Sequence, residues 1–229
     1  MIAFAALGLI SYFLTGSLAL ATSIAVADWL IKTGLYFGHE MIWSKLNIGR
    51  QVSSCKKGGL IWFTGLSGSG KTTLADAVAA RLEKRMVKVK RLDGDIARKT
   101  FSNNLGFSAE DRAENCRRAA HVGSYLKENN IVLASFISPY RTIQGYIRKM
   151  GGVIIYLDCH INECAKRDPK GMYAQLKDGK FKGSPFTGMH ASAPYEAPIG
   201  PELKIKTDKL SLDESVDKVI LFLEANGYI

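Results

Sequence analysis

The stretch "LIWFTGLSGSGKTTL", Leu60 to Leu74, decides the fold. Leu60 to Thr64 are apolar or β-branched and read as a buried strand. "GLSGSGKT" then matches G-x-x-x-x-G-K-[ST], and Leu74, Val78, Leu82 and Met86 follow at four-residue spacing, the apolar stripe of a helix. Strand, glycine-rich turn and helix are the context this motif needs. Its backbone N–H groups and helix N-terminus then face a phosphate. Gly65, Leu66, Ser67, Gly68, Ser69, Gly70, Lys71, Thr72 and Thr73 are therefore the expected nucleotide-binding residues. Lys71 is expected to bridge the β- and γ-phosphates of ATP, and Thr72 to hold Mg²⁺.

Outward from this turn, strand and helix periods alternate. Residues 87–93, 131–136, 152–158 and 203–207 read as further strands, and 70–86, 109–129 and 213–226 as helices. Alternation of this kind predicts an α/β fold with a parallel sheet and right-handed crossovers. Residues 168–201 hold five of the six prolines and little periodicity, so a long lid loop is expected there. "DGD", 93–95, closes the second strand at its carboxyl end, where such sheets build their sites. Asp95 can accept the acceptor's proton or orient Mg²⁺. A turn-forming Asp-Gly-Asp is the plainer alternative.

The chain has 229 residues, enough for one catalytic domain and an appendage. Its formal net charge is +10, and beyond residue 50 there are 28 basic and 19 acidic side chains. Such an excess favours an anionic partner, whether nucleotide, nucleic acid or acidic lipid. Cys55, Cys116, Cys159 and Cys164 show neither C-x-x-C pairing nor zinc spacing, which argues against a disulfide framework or a structural metal.

No charged residue occurs before Asp28, and such an apolar run is long enough to cross a bilayer. A signal peptide would carry a basic n-region, which this run lacks. Lys32, Lys45, Arg50, Lys56 and Lys57 follow it, so the positive-inside rule places the remainder in the cytoplasm. Two arrangements fit. One is a helix over 17–38 with Asp28 near its centre and Lys32 one turn on to pair with it. The other is a crossing over 2–26 followed by an interfacial helix bearing Trp29, Tyr36, Phe37 and Trp43. The expected division is a membrane-anchoring segment 1–49, a polar linker 50–59 and a kinase domain 60–229.

Two resemblances sharpen this reading. "LTGSLALATSIAVADWLIKTGLYFGHEMIW" resembles a short two-helix membrane family of unknown function, in which His39 and Glu40 belong to a recurring pattern. "GLSGSGKTT", "RLDGDIAR", "LGFSAEDRAEN", "SFISPYR", "RDPKGMY" and "FTG" followed by "PYEAP" resemble adenylylsulfate kinase in order and near spacing. That second resemblance implies a P-loop kinase that uses MgATP to phosphorylate the 3′-hydroxyl of adenosine 5′-phosphosulfate (APS). It implies Arg98 and Arg112 on the phosphosulfate, Asn115 beside them, and Phe107 and Phe186 sandwiching adenine. Asp93, Ile137, Arg141 and Lys170 complete the implied substrate set, with Ser138 as the active-site serine. Thr72 and Asp95 are the implied metal residues and Lys71, Asp95 and Ser138 the catalytic ones. A homodimer is implied, and no nucleic-acid partner. A kinase for another small acceptor, or an idle nucleotide-binding module, is the alternative. "MHASAP", 189–194, is about two residues longer than the family's usual lid.

Overall fold

The computed structural model describes residues 12–14, 16–45, 57–168, 171–178, 186–190 and 193–229. The chain divides into two compact units, Met1–Val52 and Ser53–Ile229.

In the first unit, α1 runs from Leu18 to Lys45, beginning just after Gly16, whose φ of +65° breaks the preceding turn. Its 28 residues span about 42 Å at helical rise. The part from Leu18 to His39 has a mean hydropathy of 1.4 and is long and apolar enough to cross a membrane. Several polar side chains along it bond within the helix, as an apolar surrounding requires. Thr22 Oγ1 and Ser23 Oγ donate to the carbonyl oxygens of Leu18 and Ala19, at 3.0 and 2.8 Å. Lys32 Nζ meets Asp28 Oδ2 at 2.7 Å. The described helix is continuous through residue 28 and carries the expected Asp28–Lys32 pair. The alternative crossing over 2–26 lies partly outside the described residues, as does most of the linker.

The second unit is a five-stranded parallel sheet in the order β2-β3-β1-β4-β5. The strands are β1 (Gly59–Thr64), β2 (Val89–Asp93), β3 (Ile131–Ser135), β4 (Gly152–Asp158) and β5 (Leu203–Lys206). β1 is central and wholly buried. Its side chains alternate between two cores, which is what covering a parallel sheet on both faces demands. Ile61 and Phe63 pack with Leu74, Val78 and Leu82 of α2 (Lys71–Glu83) and with Val219 and Leu223 of α8 (Leu212–Ala225). Leu60 and Trp62 pack with Ala119 and Ala120 of α4 (Ala109–Leu126) and with Ile143 and Ile147 of α5 (Arg141–Lys149). Gly123 on α4 allows the close approach: a Cβ there would stand 2.7 Å from Leu60 Cδ1.

Four short helices complete the unit: α3 (Gly94–Lys99), α5, α6 (Ile161–Arg167) and α7 (Met172–Lys177). α7 is a short helix inside the stretch 168–201 that was expected as a lid loop. The second strand also starts two residues later than the periodicity implied. Val87 N donates to Leu82 O at 3.1 Å, closing the end of α2, and Met86 sits between them in the left-handed region with φ +60°. This is the turn that usually recruits glycine; a side chain there costs about 1–2 kcal/mol.

Candidate active site

The carboxyl ends of β1, β2 and β3 open on a cavity of about 810 Å³. Its floor is the turn between β1 and α2. Gly65, Gly68 and Gly70 hold φ of +154°, +78° and +92°. A Cβ at Gly68 would stand 2.6 Å from Cys164 O, so the loop can lie this close to α6 only with glycine there. Lys71 Nζ donates to the carbonyl oxygens of Gly65 and Leu66, at 3.0 and 2.6 Å. The loop is braced from outside: Tyr173 OH of α7 donates to Ser67 O at 2.9 Å, and Thr207 Oγ1 to Ser69 O at 2.9 Å.

Beside it, Thr72 Oγ1 donates to Asp93 Oδ2 at 2.9 Å, and Asp95 N donates to Asp93 Oδ1 at 2.8 Å. Hydroxyl and carboxylate oxygens are thus gathered next to the loop, a hard donor set suited to Mg²⁺. Among the described residues no group of three or more His, Cys, Asp or Glu could cage a metal. A Mg²⁺ ion here would depend on substrate phosphates for further ligands, which is its habit.

Opposite the loop is a cationic wall. The guanidinium carbon of Arg98 lies 4.4 Å from the centre of the Phe107 ring, and that of Arg112 lies 6.0 Å from the same ring. Arg98 Nη1 donates to Gly106 O at 2.6 Å, Arg112 Nε to Phe107 O at 2.8 Å, and Arg112 Nη1 to Thr187 Oγ1. Desolvation lowers the pKa of Arg112; Tyr140 opposes this and Arg98 adds to it. Two converging like charges, one partly desolvated, are a poor arrangement without an anion between them. Asn115 is buried in the same wall and its Oδ1 has no hydrogen-bond partner.

The third wall is the chain after β3. Ser138 is buried, with φ +47°. Its Oγ accepts from Trp62 Nε1 at 2.7 Å and lies 3.6 Å from Cys116 Sγ. Burial pushes the Cys116 thiol up to about 11, so it stays protonated at neutral pH and offers Ser138 no base.

Of the expected site residues, Ser67 to Thr73, Asp93, Asp95, Arg98, Phe107, Arg112, Asn115, Ile137, Ser138 and Phe186 all line this one cavity. Phe186 is buried edge-on against Tyr173, with centroids 4.7 Å apart. Arg141 is not in the lining. Its backbone N–H donates to Glu196 Oε2 at 2.7 Å and its Nε to Ala197 O at 3.1 Å, which locks "SPYR" against "PYEAP". Lys170 lies outside the described residues. Sequence reading missed Arg167 and Thr187, which also line the cavity. Both stand inside motifs already singled out, "RDPKGMY" and "FTG", and that was the available signal.

Fold and cavity together define a P-loop phosphotransferase with a cationic site for an anionic acceptor facing the donor loop. The family described as adenylylsulphate kinase matches residues 57–206. The adenylyl-sulfate kinase of Halothermothrix orenii is 45% identical over 177 residues, covering 76% of this chain and 94% of that protein. The adenylyl-sulfate kinase of Picosynechococcus sp. is 46% identical over 176 residues, covering 76% and 97%. The Mycobacterium tuberculosis APS kinase CysC, solved in complex with AMPPNP and APS, superimposes with a TM-score of 0.69 at 37% identity, covering 73% of this chain and 98% of that one. This chain belongs to the adenylylsulphate kinase family. Its residues 1–44 match a second family, described as a predicted membrane protein.

Proposed function

We propose that the chain is a membrane-attached adenylylsulfate kinase, transferring the γ-phosphoryl group of MgATP to the 3′-hydroxyl of APS and giving 3′-phospho-APS and ADP. The observation that carries this is the pairing of Arg98 and Arg112 on Phe107 in one cavity lined also by Asn115, Ser138 and Lys71. The loop Gly65–Thr73 holds the donor's phosphates. Arg98, Arg112 and Asn115 seat the phosphosulfate, while Phe107 and Phe186 grip adenine through flat apolar contact. Asp95 accepts the proton of the attacking ribose oxygen as the new O–P bond forms and the bond to the β-phosphate oxygen breaks. Lys71 stabilises charge on the transferring group. Thr72, with Asp93 and Asp95 close by, would hold Mg²⁺, whose chemistry is neutralisation of phosphate charge. Ser138 positions the acceptor, Arg141 positions the segment behind it, and Lys170 brings a further cation with the lid.

The N-terminal unit anchors the enzyme, with residues 60–229 as the catalytic domain in the cytoplasm, where ATP is available. The membrane-family match over 1–44 and the apolar length of α1 support this.

The test is phosphate transfer from radiolabelled ATP to APS by the purified full chain. Lys71→Ala abolishes transfer. Arg112→Ala raises KM for APS by about tenfold to a hundredfold, the loss of a charge-assisted hydrogen bond, and leaves KM for ATP within about twofold. Absence of labelled product with APS in the parent chain overturns the proposal.

A further inference from the structure

We propose that the end of the sheet opposite the active site, centred on the turn Lys84–Lys90, is a docking surface for the anionic phospholipid headgroups of the membrane that holds the chain. This rests on the membrane attachment proposed above.

In a parallel sheet every strand starts at the same end. The register places Gly59, Val89 and Ile131 side by side there, and Thr64, Asp93 and Ser135 finish at the cavity end. Gly59 is where the chain enters the sheet. Fourteen positions separate it from Lys45, a reach of at most about 50 Å. The turn from α2 into β2 lies at this same end, since Ile131 N donates to Lys88 O at 2.9 Å.

That turn has an uncommon composition. Between Glu83 and Arg91 there are five basic side chains and one acidic. Arg85 pairs with Glu224 and Arg91 with Asp76, whereas Lys84, Lys88 and Lys90 are exposed and form no ion pair among the described residues. At its tip stands Met86, 53% exposed and left-handed where glycine would fit without strain. Tyr125, 80% exposed, lies in the last turn of α4, which leads into the start of β3 at this end of the sheet. Lysines flanking an exposed apolar side chain are a pattern that sits at headgroup level, and an exposed tyrosine at the same end of the sheet suits that level too. β2 is also an edge strand, and its Lys90 opposes pairing with another strand, which leaves a lipid surface as the better match. Docking at this end keeps the cavity mouth turned to water and its polyanionic substrates away from a like-charged surface.

The full chain is reconstituted into vesicles of phosphatidylcholine alone and of phosphatidylcholine mixed with phosphatidylglycerol, and amide hydrogen exchange is read over 84–90. Exchange is expected to slow about fivefold or more in the anionic vesicles, and the difference to disappear at high salt or in the K84E/K88E/K90E variant. Kinase activity of that variant in detergent stays within about twofold of the parent. Met86→Gly relieves the backbone strain, so its Tm rises by about 2 °C while the lipid-dependent protection weakens. Equal exchange in both vesicles overturns the proposal, and so does protection that grows with protein density regardless of lipid charge. A full chain that does not partition into vesicles at all overturns the attachment reading as well, so the two failures are distinct.

Discussion

Ser138 sits at the point where the core meets the chemistry. Its Oγ is held as an acceptor by Trp62, a residue with no exposed surface in the middle of β1, and no deprotonated base stands beside it. A hydroxyl so placed orients a substrate better than it attacks one. Ser138→Ala is expected to lower kcat about tenfold or less, with no radiolabelled enzyme trapped by rapid quenching; a stoichiometric phosphoenzyme in the parent chain would contradict this. Trp62→Phe keeps the ring and removes the N–H, leaving Ser138 less fixed, and should lower kcat by a similar factor. Arg98 and Arg112 were reached only through the family resemblance, whereas the P-loop and the Asp93-Gly94-Asp95 turn were legible in the sequence because each is a short motif whose chemistry needs that spacing. The Trp62–Ser138 bond was not, since it joins positions 76 apart and β1 reads as an ordinary apolar run.

At the level of elements, the long strands and helices were legible because their periodicity extends over enough residues. α5 was missed: its nine residues include Gly145, and only Ile143, Gln144 and Ile147 mark its buried face. Topology demanded it all the same, because parallel β3 and β4 need a crossover. The lid helix α7 was hidden in the proline-rich stretch and is built by a cap. Burial alone would raise the Asp168 carboxyl, but N–H groups of Ala174, Tyr173 and Met172 outweigh it and hold its pKa below the ordinary range. Asp168→Asn gives up part of this cap and is expected to raise KM for the nucleotides about threefold to tenfold. A group with a depressed folded pKa contributes above its unfolded value, near 4, and loses that contribution as pH falls through the folded value. The cap is therefore constant through neutral pH, and the lid loosens only in strong acid, as hydrogen exchange of 172–177 against pH would show. α8 has a capping box, with Ser211 Oγ accepting from Glu214 N at 3.2 Å and Ser211 N donating to Glu214 Oε2 at 2.8 Å. Ser211→Ala should cost about 1 kcal/mol, a fall of about 2–4 °C in Tm by calorimetry.

Taken whole, the molecule joins two sequence styles that report themselves differently. The apolar N-terminal run announced a helix by composition alone, and the Asp28–Lys32 pair followed from spacing on that helix. The cavity could not be assembled from composition, because its walls come from β1, β2 and β3 and from the segment around Phe186, which meet only once the sheet is ordered β2-β3-β1-β4-β5. The bond between Trp62 and Ser138 has a practical corollary. Trp62 is the single tryptophan beyond residue 43 of the three in the chain, so its emission reports on the serine it touches. Seating APS should change its wavelength or intensity, with the change absent in Trp62→Phe, giving an optical titration of acceptor occupancy that needs neither turnover nor label.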